Sequence, residues 1–371
     1  MPVLYPEQLE SYVASIFEKA GAPAPHSQIV ANHLVESNLL GHDSHGVLRV
    51  AQYCAAIESG ELVPDIRPEV LQQTPAGAVL DAKRAFGQVA VTEGMNVAME
   101  KASRSGTGAV TIRNCYHSGR LGAYTAMAAD AGMIGIMMVN AGGGGQSVVP
   151  FGGSERRLAT NPISIAAPTS GDFPLMLDIA TSMAPEGKIR DYALRDASLP
   201  EGWIVDAEGN PTQNAKDFYA NPPGSILPLG GPVGHKGFGL ALMIDVLAGA
   251  LSGAGCCRNE KVPARDGVLL LAIDVEQFSN RVAFYQHVSE LVAYIKSCPT
   301  APGYEEVFVP GEMEYRVAEA RRKNGIYVDE GVWRQIEKIA TGMDVIYKFD
   351  AARNGAPPTK RVTPAGVNEV V

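Results

Sequence analysis

The spacing of apolar residues changes twice along this chain of 371 residues, and the change limits the folds that the chain can adopt. Near the start, Leu9, Tyr12, Val13 and Ile16 recur at the three- and four-residue intervals of an amphipathic helix. The same spacing predicts helices at residues 5–21, 27–40 and 47–59. Prolines at positions 64, 68 and 75 then end this helical part of the chain.

The middle of the chain has a different pattern. Short apolar and β-branched runs predict strands at residues 109–112, 134–139, 163–167, 175–179 and 268–273. Helical patterns lie between them at residues 90–105, 121–131 and 237–251, and helices return at 282–296, 313–323 and 330–341. The simplest organisation is a mixed α/β domain (residues 76–280) inserted into a helical domain made of residues 1–75 and 281–349. Residues 350–371 lack periodicity and are predicted to form a C-terminal arm.

Charge and composition exclude several classes of function. The net charge of -9 argues against binding to nucleic acid and to anionic membrane surfaces. No apolar run approaches the roughly 20 residues of a membrane span, and the first residues do not resemble a signal peptide. The five cysteines lack metal-ligand spacing, so we predict a cytoplasmic protein with reduced thiols and no metal site. The adjacent Cys256 and Cys257 are expected to be packed thiols rather than a disulfide.

The stretch GHDSHGVLR, residues 41–49, is the first candidate site. If a helix begins near His45, capped by Asp43 or Ser44, then His45, Arg49 and Tyr53 share one helix face. The positive end of that helix would favour a neutral imidazole, and the arginine could hold a carboxylate in a two-pronged grip. The alternative is a helix cap, a packed ring and a surface ion pair.

A serine hydrolase is disfavoured for the same stretch. Side chains of neighbouring residues usually point apart, so we do not expect Ser44 and His45 to form a nucleophile–base pair. The G-x-S-x-G turn that presents a catalytic serine is also absent around Ser44.

Further motifs combine glycine with polar residues at the ends of predicted strands. His117 to Arg120 and His235 to Gly237 precede or open helices, where backbone N–H groups bind anions. Four glycines interrupt residues 140–153, and no G-x-G-x-x-G occurs, so the standard Rossmann fingerprint is missing. Thr160, Asn161 and Asp178 lie near strand ends, where ligand sites gather in α/β proteins. An ordinary polar turn remains the alternative for each motif.

Taken together and in order, these motifs resemble a known family. DSHGVLR, the turn at His117, FGG…TNP, D-x-ATS, GHKGFG and VPGE follow the order of the NAD(P)-dependent malate/L-lactate dehydrogenase family, the group that lacks a Rossmann fold. The resemblance covers roughly residues 5–343. It implies a largely antiparallel or mixed sheet that binds the cofactor, a helical domain built from both chain ends, and a homodimer with active sites near the interface.

The resemblance also implies residue roles. It assigns catalysis to His45 and Ser44, with His117 in that role in some members, and substrate binding to Arg49, Tyr53 and Thr160. Glu186 stands where many members of the family have an arginine, so the ligand contact of that arginine is not carried over to this chain. The nucleotide would contact His117, Ser118, Gly119, Arg120, Leu121, Asn161, Asp178, Ile179, Ala180, His235, Lys236, Gly237, Pro310, Gly311 and Glu312.

The predicted activity is hydride transfer between NAD(P)H and C2 of a small 2-oxo or 2-hydroxy carboxylic acid. His45 would exchange the proton, oriented by Ser44, while Arg49 grips the carboxylate. NAD is slightly favoured over NADP, because the acidic chain shows no basic cluster for a 2′-phosphate. One alternative is a reductase of cyclic imino acids such as piperideine or pyrroline carboxylate. Another is a nucleotide-binding protein without turnover, against which the intact Ser44, His45, Arg49 and His117 argue.

Overall fold

The computed structural model describes residues 4–142, 145–259 and 265–347. Gly143 and Gly144 of the glycine run and the predicted arm at 350–371 lie outside these residues. The helices are α1 Pro6–Lys19, α2 Ala24–Leu39, α3 Arg49–Glu58, α4 Gly87–Ser105, α5 Gly122–Asp130, α6 Glu186–Leu194, α7 His235–Ile244, α8 Val275–Phe278, α9 Arg281–Lys296, α10 Glu312–Asn324 and α11 Glu330–Gly342. The strands are β1 Glu69–Gln73, β2 Gly77–Asp81, β3 Thr107–Cys115, β4 Met133–Gly142, β5 Ile163–Ala167, β6 Leu175–Ile179, β7 Ile204–Val205, β8 Pro211–Thr212, β9 Ser225–Ile226 and β10 Arg265–Asp274.

Seven strands form one mixed sheet in the order β1-β2-β3-β10-β4-β5-β6. Only β2 and β3 run parallel, and every other neighbouring pair in this sheet is antiparallel. A Rossmann sheet consists of parallel strands joined by helical crossovers. The structure therefore confirms the prediction of a non-Rossmann, largely antiparallel α/β fold.

The last strand of the sheet in sequence, β10, occupies its centre. It pairs antiparallel with β3 on one side and with β4 on the other. This pairing places Asp266 opposite Cys115, at the end of β3. The turn that follows β3 is thus close to the beginning of β10, although more than a hundred residues separate them in the chain.

Both ends of the chain contribute to one hydrophobic core. Phe17, Tyr53 and Trp333 belong to the same buried cluster, together with residues of α1, α2, α3, α10 and α11. Arg321 of α10 is buried and forms an ion pair with Asp43, which ties the two ends together. Helix α9 has no buried residue and stands outside this core. The domain limits at 75/76 and 280/281 stay predictions.

Helix α4 joins the helical core to the core under the sheet. Phe86 and Val89, at its first turn, pack in the helical core, whereas Val91 and Met95 pack against the sheet. A third cluster surrounds the small sheet β8-β7-β9 and includes Ile189 of α6. The first turn of α4 therefore marks the junction of two cores, and the candidate site lies beside it.

The predicted helix at 237–251 forms in two parts. Helix α7 ends at Ile244, and a π-helix, Asp245–Ala250, continues it. The Asp245 carboxylate is buried there and accepts hydrogen bonds from Asn140 Nδ2 and the Cys257 backbone N–H. All five cysteines are free thiols, as expected for Cys256 and Cys257. Among the described residues, no helix combines the length and apolar composition needed to cross a bilayer.

Candidate active site

The sequence predicts that a helix begins near His45 in the stretch GHDSHGVLR, but the structure has no helix start there. Residues Asp43–His45 form one 3-10 turn, Gly46 is extended, and α3 begins only at Arg49 after Leu48, which makes no side-chain cap. The Asp43 carboxylate instead accepts hydrogen bonds from Asn38 Nδ2 and Arg321 Nη1, each at 2.7 Å. The predicted cap by Asp43 or Ser44 is therefore wrong, because Asp43 is engaged by other elements.

This turn changes which side chains meet. His45 is off the face that Arg49 and Tyr53 share, so the predicted common helix face is wrong. Arg49 Nε donates to the Ser44 carbonyl oxygen at 2.8 Å instead. The Ser44 hydroxyl lies 3.1 Å from His45 Nδ1, so the expectation that these neighbours point apart is also wrong. The 3-10 turn brings the two side chains to the same side.

The structure places His45 beside His117, the second histidine that the sequence singled out. The two imidazole rings are parallel within 12°, with centroids 5.7 Å apart. The hydroxyl oxygen of Tyr53, on α3, lies 2.7 Å from His117 Nδ1. Within the described part of the chain, the Nε2 atom of each histidine makes no hydrogen bond. Both Nε2 atoms are therefore available to a ligand.

Burial and nearby cations keep both imidazoles neutral. Burial lowers the pKa of His45 to about 3, with further contributions from Arg49, His42 and Arg120. The pKa of His117 is well below its ordinary value because of burial, and then because of Arg49, His45 and His33. The sequence predicts that a helix dipole acts on His45, but His45 does not lie in the first turn of a helix. Desolvation is the larger cause.

The turn that carries His117 is held by residues distant in sequence. Asp266 Oδ2 accepts from the Ser118 backbone N–H at 3.0 Å and from its hydroxyl at 2.8 Å. The Arg120 backbone N–H donates to His33 Nε2 at 3.0 Å. Burial raises the pKa of Asp266 to about 6, against the lowering effect of both Ser118 hydrogen bonds. The turn thus depends on α2 and β10.

The remaining residues of this turn face Asp178 and a buried cation. The Asp178 carboxylate accepts from the Gly122 backbone N–H at 2.7 Å, at the start of α5. Arg120 is 2% exposed, and its Nη2 lies 3.3 Å from Glu36 Oε2. Its Nε is buried without a hydrogen-bond partner in the described residues. A buried guanidinium with a free donor is suited to an anionic group, such as a phosphate of a nucleotide.

Other nucleotide candidates occupy separate places. His235 and Lys236 are exposed at the first turn of α7, where backbone N–H groups lack helical partners and can bind phosphate. Gly237 is buried against Leu229, where a Cβ would lie 2.2 Å from the Leu229 carbonyl oxygen. Among the described contacts, no hydrogen bond joins these residues to the histidine pair. Their role in the site stays a prediction.

Residues near the strand ends also have structural partners. The Thr160 carbonyl oxygen accepts from the Thr181 backbone N–H at 2.9 Å. Asn161 is buried and donates to the Ala241 carbonyl oxygen of α7, while its Oδ1 has no partner in the described residues. An unpaired buried oxygen can accept a hydrogen bond from a ligand. Leu121 is buried, and Ile179 and Ala180 are partly exposed.

The stretch VPGE, residues 309–312, leads into α10 and packs against β6. The Pro310 carbonyl oxygen accepts from the Met176 backbone N–H at 3.1 Å, and Gly311 has φ of +92°. Glu312 is 5% exposed, and its carboxylate binds Lys296 and Arg316. The Glu312 side chain is therefore engaged in an internal ion-pair network.

Glu186, the departure from the family pattern, lies at the edge of the histidine site. It begins α6 and forms an ion pair with Arg190 at 3.1 Å. A Cβ on the next residue, Gly187, would lie 3.5 Å from Ser44 Cβ, so the first turn of α6 faces the 3-10 turn. The charge of Glu186 also acts on the pKa of Arg49.

Three residues of the site were not identified from the sequence. Gln88 Nε2 donates to the Tyr53 hydroxyl oxygen at 2.8 Å, His33 binds the Arg120 backbone, and Asp266 binds Ser118. None lies in one of the motifs described above, and His33 fits the helical pattern of its segment. Only the fold brings them together. In the described part of the chain, no three His, Cys, Asp or Glu side chains are arranged to hold a metal ion.

Comparison with known proteins supplies independent information. A sequence model of the family described as malate/L-lactate dehydrogenase matches residues 4–337. A malate dehydrogenase from Pyrococcus abyssi is 38% identical over 347 residues, 91% of this chain and 94% of that protein. An L-sulfolactate dehydrogenase from Methanocaldococcus jannaschii is 35% identical over 91% of this chain and 96% of its own length. The solved delta1-piperideine-2-carboxylate reductase from Pseudomonas syringae has a TM-score of 0.81 and 26% identity, covering 92% of this chain and all of that one.

Proposed function

The chain belongs to the malate/L-lactate dehydrogenase family and is a 2-hydroxyacid oxidoreductase, and from this premise we propose that its chemistry takes place at the His45–His117 pair. The observation that carries the proposal is the pair of parallel, neutral imidazoles with free Nε2 atoms beside the half-buried Arg49. The substrate would be a small 2-oxo acid, or the corresponding 2-hydroxy acid in the reverse direction.

Arg49 would hold the substrate carboxylate. Its Nε binds the Ser44 carbonyl oxygen and its Nη1 binds Gln52, which fixes the plane of the guanidinium. Its Nη2 makes no hydrogen bond with the described residues and would donate to the carboxylate. Burial lowers the pKa of Arg49, so the cation is poorly hydrated and binds an anion more strongly than it would in water. Thr160 would support the same carboxylate.

His45 would exchange the proton with the oxygen on C2. Ser44 holds Nδ1 of His45, which leaves Nε2 directed to the substrate. In the oxidation direction, neutral His45 accepts the hydroxyl proton, and its lowered pKa keeps it in the required form. Two parallel imidazoles 5.7 Å apart disfavour a second positive charge, so only one ring would be protonated at a time. His117 is the alternative proton donor.

A nicotinamide cofactor, when bound, supplies or accepts the hydride at C2. The residues present fit such a group, because Arg120 Nε and Asn161 Oδ1 are buried polar atoms without partners in the described residues. Arg120 and the first turn of α7, with Lys236, would bind phosphate groups. Asp178, Ile179, Ala180 and the segment from Pro310 to Glu312 would form further contacts.

We propose NAD rather than NADP, a homodimer and a cytoplasmic location. The net charge of -9 supports NAD, since a 2′-phosphate favours basic surroundings. Exposed apolar side chains on α7, α9 and the π-helix support a dimer, because exposed apolar surface is usually covered by a partner. These side chains are Leu242, Met243, Val246, Val282 and Tyr294. Five free cysteines support a reducing compartment.

Reduction of a cyclic imino acid is the second candidate. The same arginine and histidines could hold a ring carboxylate and protonate nitrogen. The similarity to the piperideine carboxylate reductase, over the whole of that chain, favours it. The higher identity to the malate and sulfolactate dehydrogenases favours the 2-oxo acid.

The test is the loss of reduced-nicotinamide absorbance with NADH and NADPH separately, against 2-oxo acids and cyclic imino acids. We expect turnover on a 2-oxo acid, with the higher kcat/KM for NADH. Turnover on imino acids alone would establish the reductase instead. Nucleotide binding without turnover on either class would overturn both and favour a non-catalytic nucleotide-binding protein.

A further inference from the structure

Gln88 is a buried polar residue that the proposed reaction does not use. It lies in the first turn of α4, at the junction of the helical core and the sheet core, and its side chain is 0% exposed. Its Nε2 donates to the Tyr53 hydroxyl oxygen at 2.8 Å, whereas its Oε1 has no partner in the described residues. Burial of an amide with an unpaired oxygen costs free energy. The hydrogen bond that its nitrogen donates to Tyr53 is therefore a candidate for a functional role.

The hydrogen bond from Gln88 determines the direction of the next one. A phenol has a single hydrogen and can also accept. Because the Tyr53 oxygen accepts from Gln88 Nε2, its hydrogen is free for the other neighbour, His117 Nδ1, at 2.7 Å. Tyr53 is also 0% exposed, so water does not compete for this hydrogen. His117 Nδ1 must then act as the acceptor.

A neutral imidazole carries one hydrogen, on one of its two nitrogens. With Nδ1 accepting from Tyr53, the hydrogen of His117 belongs on Nε2. Nε2 is the atom that no described residue engages, next to the parallel ring of His45. His45 differs in this respect, because its Nδ1 faces the Ser44 hydroxyl, which can either donate or accept.

We propose that Gln88 is a positioning residue that acts through Tyr53 to fix His117 in the Nε2–H tautomer. His117 then offers a permanent hydrogen-bond donor to the oxygen on C2, while His45 is free to change its protonation. The role of this His117 donor in the reaction rests on the proposed function. The tautomer itself is a property of the free protein and can be measured without substrate.

The test uses the full-length protein with nitrogen-15 in its histidines, at neutral pH and without nucleotide. Long-range proton–nitrogen correlation spectra distinguish the two tautomers, and a His117→Asn variant assigns the signal. We expect Nε2–H to exceed Nδ1–H by about tenfold or more, because the Nδ1–H tautomer would leave the buried Tyr53 hydroxyl hydrogen without an acceptor. An Nδ1–H tautomer in the unmodified protein would overturn the proposal, since Gln88 would then present its oxygen to Tyr53.

Two variants test the route through Tyr53. Gln88→Met keeps the length of the side chain but cannot donate, and Tyr53→Phe removes the hydroxyl. Either should leave His117 as a mixture of tautomers, while Gln28→Met, at a distant position on α2, should leave the spectrum unchanged. A pure Nε2–H signal in a folded Gln88→Met protein would contradict the role of Gln88. If the tautomer is as expected but no 2-oxo acid turns over, the proposed function fails and the inference stands.

Discussion

His45 and His117 lie parallel in one site, but the chain supports them in different ways. His45 is held within residues 41–49, by Ser44 at its Nδ1 and by the 3-10 turn that Arg49 closes. His117 is held by Tyr53, and its turn is held by Asp266 and His33. The side chain of the first histidine is held by its neighbours in sequence, although its turn is anchored through Asp43 by Asn38 and Arg321, whereas the side chain of the second is held by a residue distant in sequence.

This difference separates the two histidines experimentally. Changes at His45 and Arg49 remove chemical groups and leave the anchoring of the turn through Asp43 in place. Changes around His117 disturb α2, α4 and β10 together, so they alter stability as well as catalysis. The predictions below run from the largest expected effect to the smallest.

His45→Ala should reduce turnover by about three to four powers of ten, because it removes the group that exchanges the proton. Nucleotide affinity should change little, since the proposed phosphate ligands are elsewhere. Steady-state kinetics and fluorescence titration with the reduced nucleotide measure the two effects. Gln28→Ala, at an exposed position on α2, is the control and should retain full activity.

The same pair of measurements on His117→Ala distinguishes the two histidines. A smaller loss of turnover is expected there, because a fixed donor would be lost but not the proton exchange. If His45→Ala keeps near-normal turnover and His117→Ala does not, the proton transfer belongs to His117.

Arg49→Ala should lower kcat/KM for the acid by about a hundredfold or more, mainly through KM, because it leaves the carboxylate without its half-buried cation. Arg49→Lys should recover only part of this loss, since an ammonium cannot reproduce the fixed guanidinium fork. An unchanged KM in both variants would show that the carboxylate binds elsewhere. Steady-state kinetics at several substrate concentrations provide the comparison.

Gly119→Ala should destabilise the His117 turn by about 3 kcal/mol, because overpacking adds to backbone strain. Gly119 has φ of +78°, and a Cβ there would lie 2.2 Å from His33 Nε2. Gly60→Ala is a close control, with φ of +70° and no atom within 4 Å of the added Cβ, and should cost only about 1 kcal/mol. Urea unfolding measures both. Equal costs would mean that the contact with His33 does not constrain the turn.

Asp266→Asn should change the pH dependence of stability. The pKa of Asp266 in the folded protein is raised to about 6, so the stability it contributes is present below its unfolded value near 3.8 and is lost as pH rises through 6. Above that pH the buried carboxylate costs up to about 3 kcal/mol, which asparagine avoids. The variant should therefore gain stability relative to the unmodified protein as the pH rises from about 4 to about 6, and it should keep that gain at higher pH. A difference independent of pH would contradict the raised pKa.

The two regions also show what the sequence could and could not predict. The residue types of both histidine motifs, and the mixed α/β fold with helical ends sharing a core, followed from spacing and from the family pattern. The 3-10 turn did not, because it depends on Asn38 and Arg321, which bind Asp43 from other helices. Gln88, His33 and Asp266 gave no local signal, since their role arises from the pairing of β10 with β3 and the packing of α2 and α4.

The central claim is that a hydride passes to C2 of a 2-oxo acid in the site of His45 and His117. The most direct measurement uses reduced nicotinamide cofactor carrying deuterium at the transferable position, with the 2-oxo acid that turns over, followed by mass spectrometry and proton NMR of the product. The account predicts one deuterium on C2 of a 2-hydroxy acid, and almost none formed by His45→Ala. A product without deuterium at C2, or deuterium found only in an amino acid made from a cyclic imine, would contradict it.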